Sequence, residues 1–244
     1  MTDTLEQQHL DRELHLIISE VFGDTKPTFQ GEGPSTGVPA LFIRLAQCNL
    51  TCSWCDTKYT WDWKQYDIKK ETHRRSVDEL ITWALACDTE LVVISGGEPL
   101  LQQRALVHLV RGLLADGKRV EFETNGTVAP DPQLLMDGVR FNVSPKLANS
   151  GVAEDKRVIP TALEVFASSG RAVFKFVTRT VAELDEIQQL VDRHHLAPVY
   201  VMPEGTTAER LIETTRVLAD AVAVRKWHFT QRLHVLAFAD ARGR

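Results

Sequence analysis

Leu91-Val92-Val93-Ile94-Ser95-Gly96-Gly97-Glu98-Pro99 decides how this chain folds. Four consecutive apolar, mostly β-branched residues read as a strand buried on both faces, the pattern of a parallel sheet. Two glycines then permit a tight turn, and Pro99 suits the first turn of a helix. That helix carries Leu101, Leu106, Leu109, Val110 and Leu113 toward a core. Strand, turn and helix in this order make half of a right-handed crossover unit.

The same unit recurs on both sides. Strand candidates lie at 40–45, 119–123, 139–143, 172–177 and 199–202, with 91–95 as the sixth. Helices are expected near 77–87, 181–194 and 207–219, where Ser76 with Glu79, Thr180 with Glu183, and Thr206 with Glu209 each fit a capping box. Six units are too few for the eight of a closed barrel. The expected fold is therefore α/β, a partial, open TIM-like barrel of about six parallel strands with outer helices. A further strand at 14–22 and a hairpin-like stretch at 227–238 flank a core of about 38–220. No repeat, low-complexity tract or Pro/Gly-rich linker divides the 244 residues, so one domain over 1–244 is expected.

A formal net charge of -5 argues against a non-specific polyanion binder and for a small-molecule substrate, so no nucleic-acid partner is expected. No apolar run reaches the roughly 20 residues that span a bilayer, so no membrane partner is expected either. The N-terminal stretch MTDTLEQQHLDRE is polar and lacks an apolar signal core, which makes cytoplasmic residence the expectation. Three of the four cysteines fall within eight positions, which in a reducing compartment points to a metal site and not a disulfide framework.

Those three are in Cys48-Asn-Leu-Thr-Cys52-Ser-Trp-Cys55, in the loop after the first core strand. Soft sulfur ligands favour zinc or iron–sulfur. Structural zinc wants four ligands, and the fourth cysteine, Cys87, reads instead as a small residue on the apolar face of a helix. Three thiolates on a four-iron cluster leave one iron open, a catalytic arrangement. In parallel α/β folds ligands sit beyond the carboxyl ends of the strands, and Ser95 to Pro99, Glu123-Thr-Asn125 and Ser144-Pro-Lys146 all end strands on that rim.

The C-x3-C-x2-C spacing with Trp54 before the last cysteine, together with Gly96-Gly97-Glu98-Pro99, resembles the radical S-adenosylmethionine (SAM) superfamily. There, three cysteines hold a [4Fe-4S] cluster whose open iron chelates the methionine part of SAM. Reductive cleavage of the sulfonium then gives a radical that abstracts hydrogen from the substrate. The resemblance implies SAM contacts at Trp54, Cys55, Asp56, Gly97, Glu98, Ser144, Pro145, Lys146, Val201, Met202, Pro203 and Glu204. The resemblance implies that carbonyl and carboxylate groups of the Gly96 to Pro99 element, Glu98 among them, bind the methionine ammonium.

Gln30-Gly-Glu-Gly33, Phe42-Ile-Arg-Leu45, Cys55-Asp-Thr57, Glu123-Thr-Asn-Gly-Thr127, Ser144-Pro-Lys146, Lys175-Phe-Val177 and Met202-Pro-Glu-Gly205 follow one another along the chain. This ordered set is similar to the 7-carboxy-7-deazaguanine synthase family of queuosine-precursor biosynthesis, over roughly residues 17 to 240. The family contracts the ring of 6-carboxy-5,6,7,8-tetrahydropterin to 7-carboxy-7-deazaguanine, a lyase reaction that releases ammonia, uses SAM catalytically and needs Mg²⁺. It implies substrate contacts at Phe29, Gln30, Gly31, Glu32, Arg44, Ser95 and His234, with Thr57 on magnesium. It also implies a homodimer and an electron donor such as flavodoxin or ferredoxin.

The residues suit those roles. Arg44, a lone cation in an apolar strand, needs a partner; its planar fork fits a carboxylate of the substrate, and an internal acid is the competing reading. Amide and carboxylate groups at Gln30 and Glu32 match the donor–acceptor edge of an aminopyrimidinone. Thr57 offers a hard oxygen, acceptable to Mg²⁺. His73, His108, His194 and His195 read as ordinary surface or core residues. Gln47 stands where the family usually has glycine, and the tail ending at Arg244 extends beyond short family members. A radical SAM activase acting on a partner protein shares the cysteine spacing but leaves Gln30 to Gly33 and Arg44 without a role. A non-catalytic iron–sulfur or zinc module predicts no SAM cleavage.

Overall fold

The structure is a computed structural model that describes residues 14–239 and 241–244. The expected strands form as β3 (Pro39–Leu45), β5 (Leu91–Gly96), β6 (Arg119–Thr124), β7 (Val139–Val143), β8 (Ala172–Thr178) and β9 (Val199–Pro203). Each pairs in parallel with the next. The remaining strands are β1 (His15–Phe22), β2 (Thr28–Phe29), β4 (His73–Ser76) and β10 (His228–Phe229). The sheet order is β10-β9-β8-β7-β6-β5-β3-β1-β4, with β2 on β3. Its two end strands do not meet, so the barrel is open, as the sequence predicts.

Burial explains the arrangement. Leu91 to Ile94 are wholly inaccessible, as a strand covered on both faces must be. Between β6 and β7 Phe122 stacks on Phe141 at 5.1 Å, and Phe166 of the helix Pro160–Ser168 meets Phe141 edge-on at 5.4 Å. The helix Gln103–Ala115 buries Leu106, Leu109, Val110 and Leu113 against the sheet. At Val77–Leu85 the capping box forms in full, Ser76 Oγ accepting from Glu79 N and Glu79 Oε2 from Ser76 N.

Several expectations are corrected. The stretch 227–238 is no hairpin: β10 pairs in parallel with β9, and Leu233–Phe238 is a short helix. Helix Ala208–Val224 is capped by Thr207, not Thr206. Helix Glu183–His194 starts two residues late, and only the Glu183 half of its box forms. Cys87 lies just beyond its helix, half-buried against the core. The edge strand β4, polar and short, has no apolar pattern to announce it. No helix among the described residues is long and apolar enough to cross a membrane.

Two features aim the chain at the strand ends. Between Ile18 and Glu20 the β1–β3 register slips, a bulge that brings Glu20 opposite Arg44. The loop after β2 is fastened to the C-terminal segment, Gly33 N donating to Thr230 Oγ1 at 2.8 Å and Leu233 N to Gly31 O at 2.8 Å.

Candidate active site

Cys48, Cys52 and Cys55 are free and line one deep cavity at the carboxyl ends of the parallel strands. The loop that carries them is shaped just before it starts. Gln47 adopts φ 77°, its N–H donates to Thr60 O at 2.7 Å, and its carbonyl accepts from Glu98 N at 2.8 Å. A left-handed backbone is why glycine is the usual residue here. Gly97 closes on the same turn: a Cβ there would stand 2.1 Å from Gln47 O and 2.8 Å from Cys48 Cβ.

The loop is also pinned from outside. Ser53 N donates to Ser150 O at 2.9 Å, and Asn49 is held between Asn125 (3.0 Å) and Thr127 (2.8 Å). The sulfurs receive N–H groups, Leu50 N to Cys48 at 3.4 Å and Trp61 Nε1 to Cys55 at 3.3 Å. Burial pushes the Cys48 thiol up to about 12 and raises Cys52 as well. Coordinated iron would hold such groups as thiolates. Three sulfurs in one loop, each facing the cavity and two receiving N–H donors, fit a cluster.

Glu98 follows the end of β5 with its side chain outside the cavity lining. Its carboxylate is fully buried behind the cavity wall, accepting from Leu100 N at 3.0 Å, Thr124 Oγ1 at 2.8 Å and Asn125 N at 2.7 Å. Burial raises its pKa even against these donors. Glu98 thereby ties the end of β5 to the end of β6 and sets the backbone of Gly96 and Gly97, which line the cavity. Pro145, Val201 and Pro203 likewise stand behind the wall, while Ser144, Lys146, Met202 and Glu204 face in.

Lys146 Nζ bonds Ser144 Oγ at 2.9 Å and lies 5.4 Å from the ring centroid of Trp54, whose Nε1 donates to Asn149 at 3.2 Å. Glu204 pairs with Arg179 at 3.2 Å. Thr57 faces the cavity with its hydroxyl 3.6 Å from Cys55 Sγ.

The same cavity is also lined by Phe29, Gln30, Gly31, Glu32, Arg44, Ser95 and His234. Arg44 Nε donates to Glu20 Oε1 at 2.8 Å, the internal-acid pairing that competes with a substrate contact. His234 packs so closely on Gly31 that a Cβ there would lie 2.0 Å from its Nδ1. Burial lowers the His234 pKa and favours the neutral imidazole.

Sequence reading missed the charged centre. Lys175 is buried on β8 between Glu32 (2.5 Å) and Glu123 (2.7 Å). Glu123 also accepts from Gln30 and Asn142, each at 2.9 Å. Arg232 pairs with Glu32 at 3.3 Å and with Asp56, and donates to Gly205 O at 2.7 Å. Burial alone would raise Glu32, but Lys175 and Arg232 hold it far below the usual carboxylate range. Burial wins at Glu123, which is raised. Lys175, within Phe174-Lys-Phe176, carried the one available signal: a cation in an apolar strand, as at Arg44. The tail returns to the rim as well. Arg242 bonds Glu20 at 3.1 Å and Glu71 at 2.8 Å, and lies 3.9 Å from the Tyr59 ring centroid.

An open parallel barrel whose strand-end cavity gathers three loop thiols defines a class: residues 43–167 match the family model of the radical SAM superfamily. Radical SAM enzymes use a [4Fe-4S] cluster and SAM. Finer similarity covers nearly the whole chain. The 7-carboxy-7-deazaguanine synthase of Pyrobaculum aerophilum is 37% identical over 221 residues, 89% of this chain and 94% of that one. That of Hyperthermus butylicus is 37% identical over 229 residues (91% and 92%), and that of Rhodopirellula baltica 32% over 242 (95% and 90%). The crystal structure of QueE from Escherichia coli superposes with a TM-score of 0.72 at 27% identity, covering 94% of this chain and 99% of that one. This chain belongs to the 7-carboxy-7-deazaguanine synthase family.

Proposed function

We propose that this cavity converts 6-carboxy-5,6,7,8-tetrahydropterin to 7-carboxy-7-deazaguanine with release of ammonia. The observation that carries the reading is the meeting, in one cavity, of the three loop thiols with a polar wall built from Gln30, Glu32, Glu123 and Lys175. When bound, the cluster and SAM supply one-electron cleavage of a sulfonium and, through it, hydrogen abstraction.

The chain's own groups divide the rest. Cys48, Cys52 and Cys55 hold the cluster, and the wall of Trp54, Asp56, Gly97, Ser144, Lys146, Met202 and Glu204 receives SAM. Lys175 and Arg232 keep Glu32 ionised, so that it accepts from the N–H edge of the aminopyrimidinone beside the Gln30 amide. Phe29 and Gly31 border this edge, Ser95 and His234 close the pocket, and Arg44 exchanges Glu20 for the substrate carboxylate. Thr57 supplies a hard oxygen to Mg²⁺ beside that carboxylate. The one continuous sheet supports a single domain, and clustered thiols support a reducing, cytoplasmic setting. A homodimer and a one-electron donor such as flavodoxin or ferredoxin belong to the same reading.

Anaerobic incubation with SAM, dithionite and the carboxytetrahydropterin, followed by mass spectrometry, tests it. Ammonia and the carboxydeazaguanine are expected. SAM cleavage with the pterin left intact would instead favour an activase.

A further inference from the structure

A cluster of this kind has to be in its reduced state before SAM can be cleaved, so an electron must reach it from outside. The chain as a whole is acidic, yet residues 58–75, which follow the last cluster cysteine, hold six Lys and Arg against three Asp and Glu. The acids of this segment are engaged locally. Asp67 caps the helix Ile68–Glu71 and lies 4.0 Å from Lys70, and Glu71 is taken by Arg242 at 2.8 Å. Lys58, Lys64 and Lys69 have no ionic partner among the described residues, and Lys64, Lys69 and Lys70 are exposed. Between them in sequence Tyr66 and Ile68 expose 36% and 48% of their surface.

This face is wired to the cysteine loop. Tyr66 packs edge-on against Tyr59 at 6.4 Å, and the segment contains Trp61, whose indole N–H donates to Cys55 Sγ at 3.3 Å. Trp61 is thus the link between the exposed basic surface and a cluster ligand.

We propose that residues 58–75 form the docking surface for an acidic one-electron carrier protein, which loses one electron to the cluster by way of Trp61 and Cys55. The inference rests on the radical SAM reading of the cavity. Electron-transfer encounters are small and steered by complementary charge, so a patch of this size and sign suffices. Such steering weakens as the screening length falls to about 10 Å near 0.1 M salt.

The test is charge reversal of Lys64→Glu, Lys69→Glu and Lys70→Glu together, in the cluster-reconstituted full chain, with a purified acidic flavodoxin as the probe. Two readouts are taken. Calorimetry measures binding of oxidised flavodoxin, and the rate of cluster reduction is followed with reduced flavodoxin and, separately, with dithionite. The expected result is flavodoxin binding and flavodoxin-driven reduction both weakened at least about tenfold, with dithionite-driven reduction unchanged. Added salt should slow flavodoxin-driven reduction of the parent and barely affect the variant.

Equal flavodoxin-driven rates in parent and variant would overturn the proposal and leave the cluster reading standing, as would binding of RNA to the patch without effect on reduction. A parent chain with no dithionite-reducible cluster would overturn both.

Discussion

Lys175 Nζ stands 2.7 Å from Glu123 Oε2, an ion pair linking neighbouring regions of the sheet from β8 to β6 beneath the substrate side of the cavity. With Glu32 at 2.5 Å on its other side, the ammonium separates two carboxylates that would otherwise face each other. Removing one member of such a buried set leaves charge without a counterpart, which costs about 3–5 kcal/mol. Lys175→Met should therefore lower unfolding stability by about that amount in urea titrations. Adding Glu32→Gln should restore part of it. An unchanged midpoint in the single variant would refute the account of this network.

Glu98 gives a pH prediction of defined sign. Its folded pKa is raised by burial, so its contribution is fully present below the unfolded carboxylate value, roughly 4.3, and is lost as pH rises through the folded value. Glu98→Gln abolishes that titration while keeping an acceptor for Leu100 or Asn125. Urea midpoints of the parent should fall more than those of the variant between acid and neutral pH. Parallel profiles would count against it.

Gln47 holds φ 77°, a conformation that costs an L-residue about 1 kcal/mol or more. Gln47→Gly keeps both backbone hydrogen bonds and should stabilise the chain by about 1 kcal/mol, visible as a raised Tm. A lower Tm would mean that the side chain contributes something beyond the contacts seen.

In the proposed reaction Arg44 exchanges Glu20 for the substrate carboxylate. Arg44→Ala should weaken carboxypterin binding by about tenfold, the worth of one charged hydrogen bond, while SAM cleavage continues. Equal affinity in parent and variant would make Arg44 purely an internal partner of Glu20.

The parallel core was legible because buried strands have apolar runs, and one cap, at Ser76 and Glu79, was legible from its short local signature. The cysteines were legible because their chemistry lies in spacing alone. The hydrogen bonds of Glu98 were not legible because its motif is local while its partners, Thr124 and Asn125, come from the end of another strand. Lys175 and Arg232 escaped for the same reason: Glu32, their common partner, is 143 and 200 residues away in the chain. The short helix Leu233–Phe238 was misjudged because its apolar run carries no period that separates helix from strand.

The central claim is an iron centre held by three sulfurs with one corner available to SAM. Electron paramagnetic resonance of the anaerobically reconstituted, reduced chain, recorded before and after SAM is added, tests it most directly. The account predicts about four irons per chain and a spectrum that changes on adding SAM, with both lost in Cys52→Ala. A full complement of protein ligands, seen as a spectrum indifferent to SAM, would contradict it.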